Sequence, residues 1–125
     1  MKGQKNAIKN SMCLGEGSSV FALEKDKGQQ RLAKIIGIGY ATENITHSTS
    51  ISENGESLQK SILMASNNID LSSIDAIVMH APGTIKGDQS ELNAINEVFK
   101  NYKPQLISTK FQTGHTLGAL SLIHI

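Results

Sequence analysis

Residues 74–91 read IDAIVMHAPGTIKGDQSE, and this stretch decides the fold class. Residues 74–80 are almost continuously apolar, which is typical of a strand buried in a parallel sheet. A tight loop follows, and a helix is predicted from about Asp88, because apolar residues recur at helical spacing at Leu92, Ile95, Val98 and Phe99. A strand, a short loop and a helix in this order favour an α/β fold with a layered sheet.

Further elements are predicted on both sides of this stretch. Upstream, a helix is predicted from Glu56, and its apolar face is formed by Leu58, Ile62, Ala65 and Ile69. Residues 70–73 break this helix. Downstream, residues 105–109 are a second short strand, and a further helix is predicted to begin at Gly114.

The segment before the first helix has a different pattern. Residues 18–24 and 33–40 are two extended runs separated by a turn, and together they predict an antiparallel hairpin. Gly37 and Gly39 in the second run indicate either a close backbone approach or a bulge. Residues 41–55 are rich in Thr, Ser and Asn without a period, which predicts a surface loop.

Composition limits the class of protein. The chain has 125 residues, enough for one domain, with a net charge of +1 and 4% aromatic residues, so a nucleic-acid partner is not expected. The apolar runs are far shorter than the roughly 20 residues that span a bilayer, and residues 1–12 have no apolar signal core, so neither membrane insertion nor secretion is expected.

The single cysteine, Cys13, fits a reducing compartment, and we expect a cytoplasmic protein. The irregular surroundings of Cys13 favour a small buried or half-buried residue over a nucleophile.

Two histidines follow the predicted strands of the sheet. His80 ends the first strand, and His115 comes a few residues after the second, next to Gly114. Ligands of open α/β sheets bind beyond the carboxyl ends of the strands, and small residues beside an imidazole let a substrate approach closely. Either histidine alone fits a structural role, but two at equivalent strand ends favour a ligand site.

The charged residues near these histidines have competing interpretations. Asp88 and Glu91 form a D-x-x-E pattern at the predicted helix start, which fits a capping box without any function. Glu91 could instead pair with Lys110 at the end of the neighbouring strand. A metal site built from His80, Asp88 and His115 is a further alternative, although no standard ligand spacing supports it.

Three motifs, taken in order, resemble those of the β-ketoacyl-[acyl-carrier-protein] synthases, the condensing enzymes of the thiolase fold. Residues 15–17 (GEG), 80–91 (HAPGTIKGDQSE) and 108–119 (STKFQTGHTLGA) are similar to the family patterns G-E-G, H-x-T-G-T-x-x-G-D-x-x-E and S-x-K-x-x-x-G-H-x-x-G-A. The resemblance implies the C-terminal half of a thiolase-like fold, a mixed β-sheet layered with helices, here incomplete.

The resemblance also divides the chain into three parts. Residues 1–13 are an irregular start, and residues 14–119 are a partial C-terminal synthase domain. Residues 120–125 (LSLIHI) replace the expected Ser-Gly continuation of the family pattern. We interpret this tail either as an artefact derived from a sequencing adaptor or as a natural helix segment.

The resemblance implies roles for individual residues. His80 and His115 are similar to the two catalytic histidines that hydrogen-bond the malonyl thioester and stabilise the enolate formed as carbon dioxide leaves. Lys110 resembles the family lysine that holds and polarises this region, and Glu91 resembles its carboxylate partner, so both are included among the catalytic residues. Thr84 resembles a substrate-binding hydroxyl that lines the phosphopantetheine tunnel.

Two departures from the family pattern have consequences. Pro82 replaces a second threonine, which implies that one hydrogen bond to the carrier arm is missing and points to a divergent branch, such as a polyketide, aryl-polyene or pigment-pathway synthase. The family's nucleophilic cysteine lies in the N-terminal half, and Cys13 does not match it. The resemblance therefore implies that this chain alone is inactive.

The activity implied for the parent enzyme is a decarboxylative Claisen condensation of malonyl-[acyl-carrier protein] with an acyl thioester, in fatty acid, polyketide or aryl-polyene biosynthesis. The implied partners are acyl carrier protein, malonyl and acyl thioesters, and a second subunit in a homodimer or a synthase/chain-length-factor heterodimer. No metal and no separate cofactor are implied, because the substrates ride on the phosphopantetheine arm of the carrier. Two alternatives remain open: a non-catalytic partner subunit of the chain-length-factor type, and a small metal-binding α/β domain.

Overall fold

The computed structural model describes residues 12–25, 28, 32–44, 47 and 50–117. The helices and strands of this part follow one another as α1 (Glu56–Ala65), a 3₁₀ turn (Leu71–Ser73), β1 (Ala76–Val78), α2 (Ile85–Val98), β2 (Gln105–Ile107) and α3 (Lys110–Thr113). No helix in the described part is both long and apolar enough to cross a membrane.

The two strands pair in parallel, with α2 as the connection between them. The register places Ala76 opposite Gln105 and Val78 opposite Ile107. The N–H of Met79 continues the ladder by donating to the carbonyl oxygen of Ile107 at 2.8 Å. This strand–helix–strand unit confirms the predicted α/β arrangement, and it brings the carboxyl ends of both strands to the same edge of the sheet.

The core lies between α2 and β1. Met79, Ile95 and Phe99 are its buried residues, and the half-buried Leu92 and Val98 pack against them. The predicted apolar stripe of this helix is therefore confirmed. The packing fixes α2 over the end of β1, so side chains on the first two turns of α2 lie close to the loop that follows the strand.

The predicted hairpin is wrong. Residues 18–24 and 33–40 form no paired strand in the structure. The second run instead lies along α1. The two backbones are so close that a Cβ atom at Gly37 or Gly39 would overlap the carbonyl oxygens of Ala65 and Ser61 respectively. The close backbone approach expected of these two glycines is thus confirmed, and their neighbour is a helix.

The helix boundaries differ from the predicted ones in three places. The first helix ends at Ala65, before Ile69 of its predicted apolar face. The second helix begins at Ile85, with Thr84 as its N-cap residue, about one turn before Asp88. The short α3 ends at Thr113, and a φ of 74° at its C-cap residue Gly114 turns the chain out of the helix. The helix predicted to begin at Gly114 is not formed over residues 114–117, and its remainder lies outside the described residues. Residues 118–125, with the proposed tail, and residues 1–11 lie outside the described residues.

Candidate active site

Two imidazoles meet at the carboxyl edge of the sheet. His80 lies two residues after the end of β1, and His115 follows β2 and α3. The Nε2 atoms of the two rings lie 3.4 Å apart, the ring centroids are 5.0 Å apart, and the ring planes meet at 85°. The structure therefore brings the two histidines together, as their positions after the strands predict.

The tautomer of His115 follows from its backbone surroundings. The N–H of Leu117 donates to Nδ1 of His115 at 3.1 Å, so this nitrogen carries no proton. In the neutral imidazole the proton must then be on Nε2, the atom that faces His80. The site consequently presents an N–H donor at the point where the two rings meet.

The segment at the first sequence motif, residues 15–17, contacts the backbone of His115. Leu14 forms an isolated parallel bridge with His115, whose N–H donates to the carbonyl oxygen of Cys13 at 2.7 Å. A Cβ atom at Gly15 would overlap the carbonyl oxygen of Thr113, so the glycine allows this approach. Cys13 is exposed, which corrects the expectation of a buried or half-buried residue, and it contributes its backbone to the site.

Glu91 holds the backbone of His80. Its Oε1 accepts a hydrogen bond from the N–H of His80 at 2.6 Å, and its Oε2 accepts one from the N–H of Ala81 at 2.8 Å. Hydrogen bonds to a carboxylate are among the strong ones in proteins. Sequence reasoning missed this contact, because the D-x-x-E spacing alone does not show which backbone groups the carboxylates reach.

The predicted ion pair between Glu91 and Lys110 is not formed. Both oxygens of Glu91 are occupied by backbone amides, and the ion pair found in the described part of the chain joins Lys100 to Glu97 at 2.6 Å. The capping-box interpretation is also wrong for Asp88. Its carboxylate accepts from the N–H of Gly83 at 3.1 Å, so it too fastens the loop after β1 to α2.

The charges around His80 favour its neutral form. Although the His80 side chain is exposed, partial desolvation by the surrounding protein is the first cause that lowers the pKa of this imidazole, and the Coulomb interactions with Lys110 and His115 lower it further. Glu91 and Asp88 act in the opposite direction and only partly compensate. Lys110, half-buried at the start of α3, therefore acts on His80 through its charge.

Comparison with known proteins identifies the family of this site. Residues 32–125 match the family described as β-ketoacyl synthase, C-terminal domain. The chain belongs to the β-ketoacyl synthase family. This synthase chain is 30% identical over 119 residues to 3-oxoacyl-[acyl-carrier-protein] synthase 1 of Haemophilus influenzae, covering 91% of the chain and 28% of the relative. It is 34% identical over 93 residues to the protein of that name in Escherichia coli K12, covering 74% of the chain and 22% of the relative.

A solved structure supports the same fold. The synthase chain resembles a chain of the AntDE:AntF assembly, described as a type II PKS acyl-carrier protein in complex with its ketosynthase bound to the hexaketide. The TM-score is 0.61 at 29% identity, over 68% of this chain and 22% of the other. The predicted thiolase-like fold is therefore confirmed, and the chain spans less than a third of the length of the curated relatives named above.

Thr84 of the synthase chain has a hydroxyl that its own helix does not use. It is the N-cap residue of α2, a position where threonine commonly bonds the first turn, yet its side chain makes no cap hydrogen bond. A Cβ atom at Gly87 would lie 2.5 Å from Oγ1 of Thr84, so the glycine leaves space beside this hydroxyl. The neighbouring Pro82 offers neither a hydroxyl nor an N–H group.

The alternative of a metal-binding domain gains no support from the synthase chain. Among the described residues, no group of three or more His, Cys, Asp or Glu side chains is arranged to hold a metal ion. A polar cavity of about 660 Å³ lies apart from the two histidines, between α1 and α2, and it is lined by Asn54, Glu56, Gln59, Asn93, Asn96 and Glu97.

Proposed function

We propose that this chain is part of a β-ketoacyl synthase that condenses a malonyl thioester with an acyl thioester by decarboxylative Claisen chemistry. The observation that carries the proposal is the contact between Nε2 of His80 and Nε2 of His115, 3.4 Å apart at the sheet edge. A non-catalytic partner subunit of the chain-length-factor type has no chemical need for such a pair, so we favour the enzyme.

The paired imidazoles suit the charge that develops in this reaction. As the malonyl carboxylate leaves as carbon dioxide, its bonding electrons pass into an enolate, and negative charge grows on the thioester oxygen. An oxygen that lies beside both Nε2 atoms would accept from Nε2–H of His115, and also from His80 when its proton is on Nε2. Each preorganised donor of this kind contributes about 10²–10³ in rate.

The neutral state of His80 avoids a strong interaction with the bound substrate before the substrate reacts. A charged imidazolium would hold the malonyl carboxylate in an ion pair that decarboxylation then has to break. Interactions that stabilise the substrate as strongly as the transition state do not accelerate the reaction. The lowered pKa of His80, caused by desolvation and by the Coulomb interactions with Lys110 and His115, disfavours this ion pair near neutral pH.

The substrate is proposed to arrive on the phosphopantetheine arm of an acyl carrier protein. The free side of Thr84 Oγ1 beside Gly87 offers a hydrogen-bonding group for that arm, while Pro82 offers none. The similar ketosynthase structure is described as a complex with an acyl-carrier protein, which supports this partner. The arm would carry the substrate covalently, so no further cofactor is proposed.

The experiment is a graft into a complete enzyme. A complete β-ketoacyl synthase receives residues 32–117 of this chain in place of its own, and its malonyl decarboxylation rate is measured. His80→Ala is expected to lower the rate by about 10²–10³. His47→Ala, in an exposed loop, serves as the control and should leave the rate unchanged. An unchanged rate in the His80→Ala graft would overturn the proposed role.

A further inference from the structure

Two residues other than glycine adopt a left-handed backbone in the described part of the chain. They are Ala81, with φ of 33°, and Leu117, with φ of 53°. Each comes within two positions of a histidine of the pair, His80 or His115. Such conformations are uncommon for residues with a Cβ atom, and they persist only where the surrounding structure holds them. Their placement ties both outliers to the site.

Two features of the local sequence disfavour the backbone conformation of Ala81. Its Cβ atom disfavours the left-handed region, and the following Pro82 disfavours any helical backbone at the residue before it. The local sequence therefore opposes the conformation that the structure shows. Something outside the loop must hold this turn in place.

The restraint comes from α2. Glu91 accepts from the N–H groups of both His80 and Ala81, at 2.6 and 2.8 Å, and Asp88 accepts from the N–H of Gly83 at 3.1 Å. Three successive donors around the turn are thus bound to two carboxylates on one face of a 14-residue helix. The core packing of Ile95 in turn fixes this helix over β1.

We infer that the Ala81–Pro82 turn is a positioning element, in which the left-handed Ala81, held by Glu91, sets the imidazole of His80 against that of His115. Ala81 and Glu91 act on the reaction through His80 and are positioning residues. The kinetic consequence of this inference rests on the proposed function. Its structural part, a strained turn that orients His80, stands independently.

The strain is tested by whether a glycine substitution at Ala81 raises or lowers the unfolding midpoint. Glycine adopts the left-handed region without penalty, so Ala81→Gly is expected to keep or raise the unfolding midpoint of the 125-residue chain. Ala76→Gly, at an exposed position of β1, is the matched control and should lower the midpoint. A fall in Ala81→Gly equal to that of the control would overturn the assignment of a strained turn.

The positioning role is tested in the graft that carries residues 32–117. Glu91→Gln removes one of the two carboxylate contacts that hold the turn, so it is expected to lower kcat for malonyl decarboxylation about tenfold with KM unchanged, whereas the exposed Glu97→Gln keeps the full kcat. An unchanged kcat in Glu91→Gln contradicts the role. In the 125-residue chain, the nuclear Overhauser contact between the two imidazoles should weaken in Glu91→Gln. That readout still decides the matter if His80→Ala shows the proposed function to be wrong.

Discussion

The Nε2 atom of His115 lies 3.4 Å from Nε2 of His80, although the two residues are 35 positions apart in the chain. The parallel pairing of β1 with β2 explains the contact, because both strands end at the same edge of the sheet. Two further contacts hold the backbones of these two histidines in place. Glu91 holds the backbone of His80, and the backbone around Leu14 holds that of His115.

Removing the charge of Glu91 should destabilise the fold. In Glu91→Gln the side chain keeps its size, but one of the two N–H donors of His80 and Ala81 then faces an amide group that cannot accept from it. We expect the free energy of unfolding to fall by about 1–3 kcal/mol, measured by urea titration.

The control for this substitution is Glu97→Gln. Glu97 pairs with Lys100 at 2.6 Å, but both side chains are more than half exposed, with relative accessibilities of 54% and 62%. Such pairs contribute little, so a loss below about 0.5 kcal/mol is expected. Equal losses in the two variants would show that Glu91 does not hold the loop.

Lys110 is predicted to lower the pKa of His80 through its charge. Replacing it by glutamine in Lys110→Gln removes that charge at similar size, so the pKa of His80 should rise toward the ordinary value. The measurement is an NMR titration of the His80 ring protons. Lys100→Gln is the control, since Lys100 is paired with Glu97, and it should leave the titration unchanged. A fall in the pKa of His80 in Lys110→Gln would contradict the electrostatic assignment.

The lowered pKa of His80 also predicts how stability depends on pH. As the pH falls below about 6.5, the unfolded chain binds a proton on this imidazole that the folded chain does not yet bind. The free energy of unfolding should therefore decrease between that pH and the lower pKa of the folded state. Urea titrations at about pH 7.5 and about pH 5.5 measure the change. The loss should be smaller in His80→Gln, and an identical loss would assign it to other groups.

Gly55 is expected to tolerate no side chain. Its φ is 58°, and a Cβ atom would lie 2.7 Å from the carbonyl oxygen of Ser90 and 2.9 Å from Cβ of Ala94. Gly55→Ala should lower the free energy of unfolding by about 2–5 kcal/mol, because the backbone penalty and the overpacking add.

The control Gly28→Ala measures the backbone penalty alone. Gly28 has a φ of 72° with no atom within 4 Å of the added Cβ, so a loss of about 1 kcal/mol is expected. Equal losses would contradict the close contact between Gly55 and α2.

The sequence predicts the elements that carry strong apolar patterns. A strand is found within residues 74–80, at Ala76–Val78, but the expectation that it is buried is wrong, because Ala76 and Val78 are exposed. The stripe from Leu92 to Phe99 is found as predicted, because burial of Ile95 and Phe99 packs α2 against the core. The pairing of His80 with His115 could also be predicted, since parallel strands end at one edge. Pattern and topology agree at these positions.

Contacts that depend on tertiary position could not be predicted. The second helix begins one turn earlier than its apolar pattern shows, so Asp88 and Glu91 face back over the loop and do not cap the helix. The run containing Gly37 and Gly39 has the composition of a strand, yet its backbone packs on α1. Neither outcome is visible in local spacing, because each is decided by which element lies opposite.

The central claim is that His80 and His115 act on one oxygen of the substrate. A double-mutant cycle in the grafted synthase tests it most directly, with malonyl decarboxylation measured for His80→Ala, His115→Ala and the two together. We predict a loss of about 10²–10³ in each single variant and little further loss in the double variant, because groups that act as a unit are not additive. Full activity in either single variant, or a double loss equal to the product of the two, would contradict the claim.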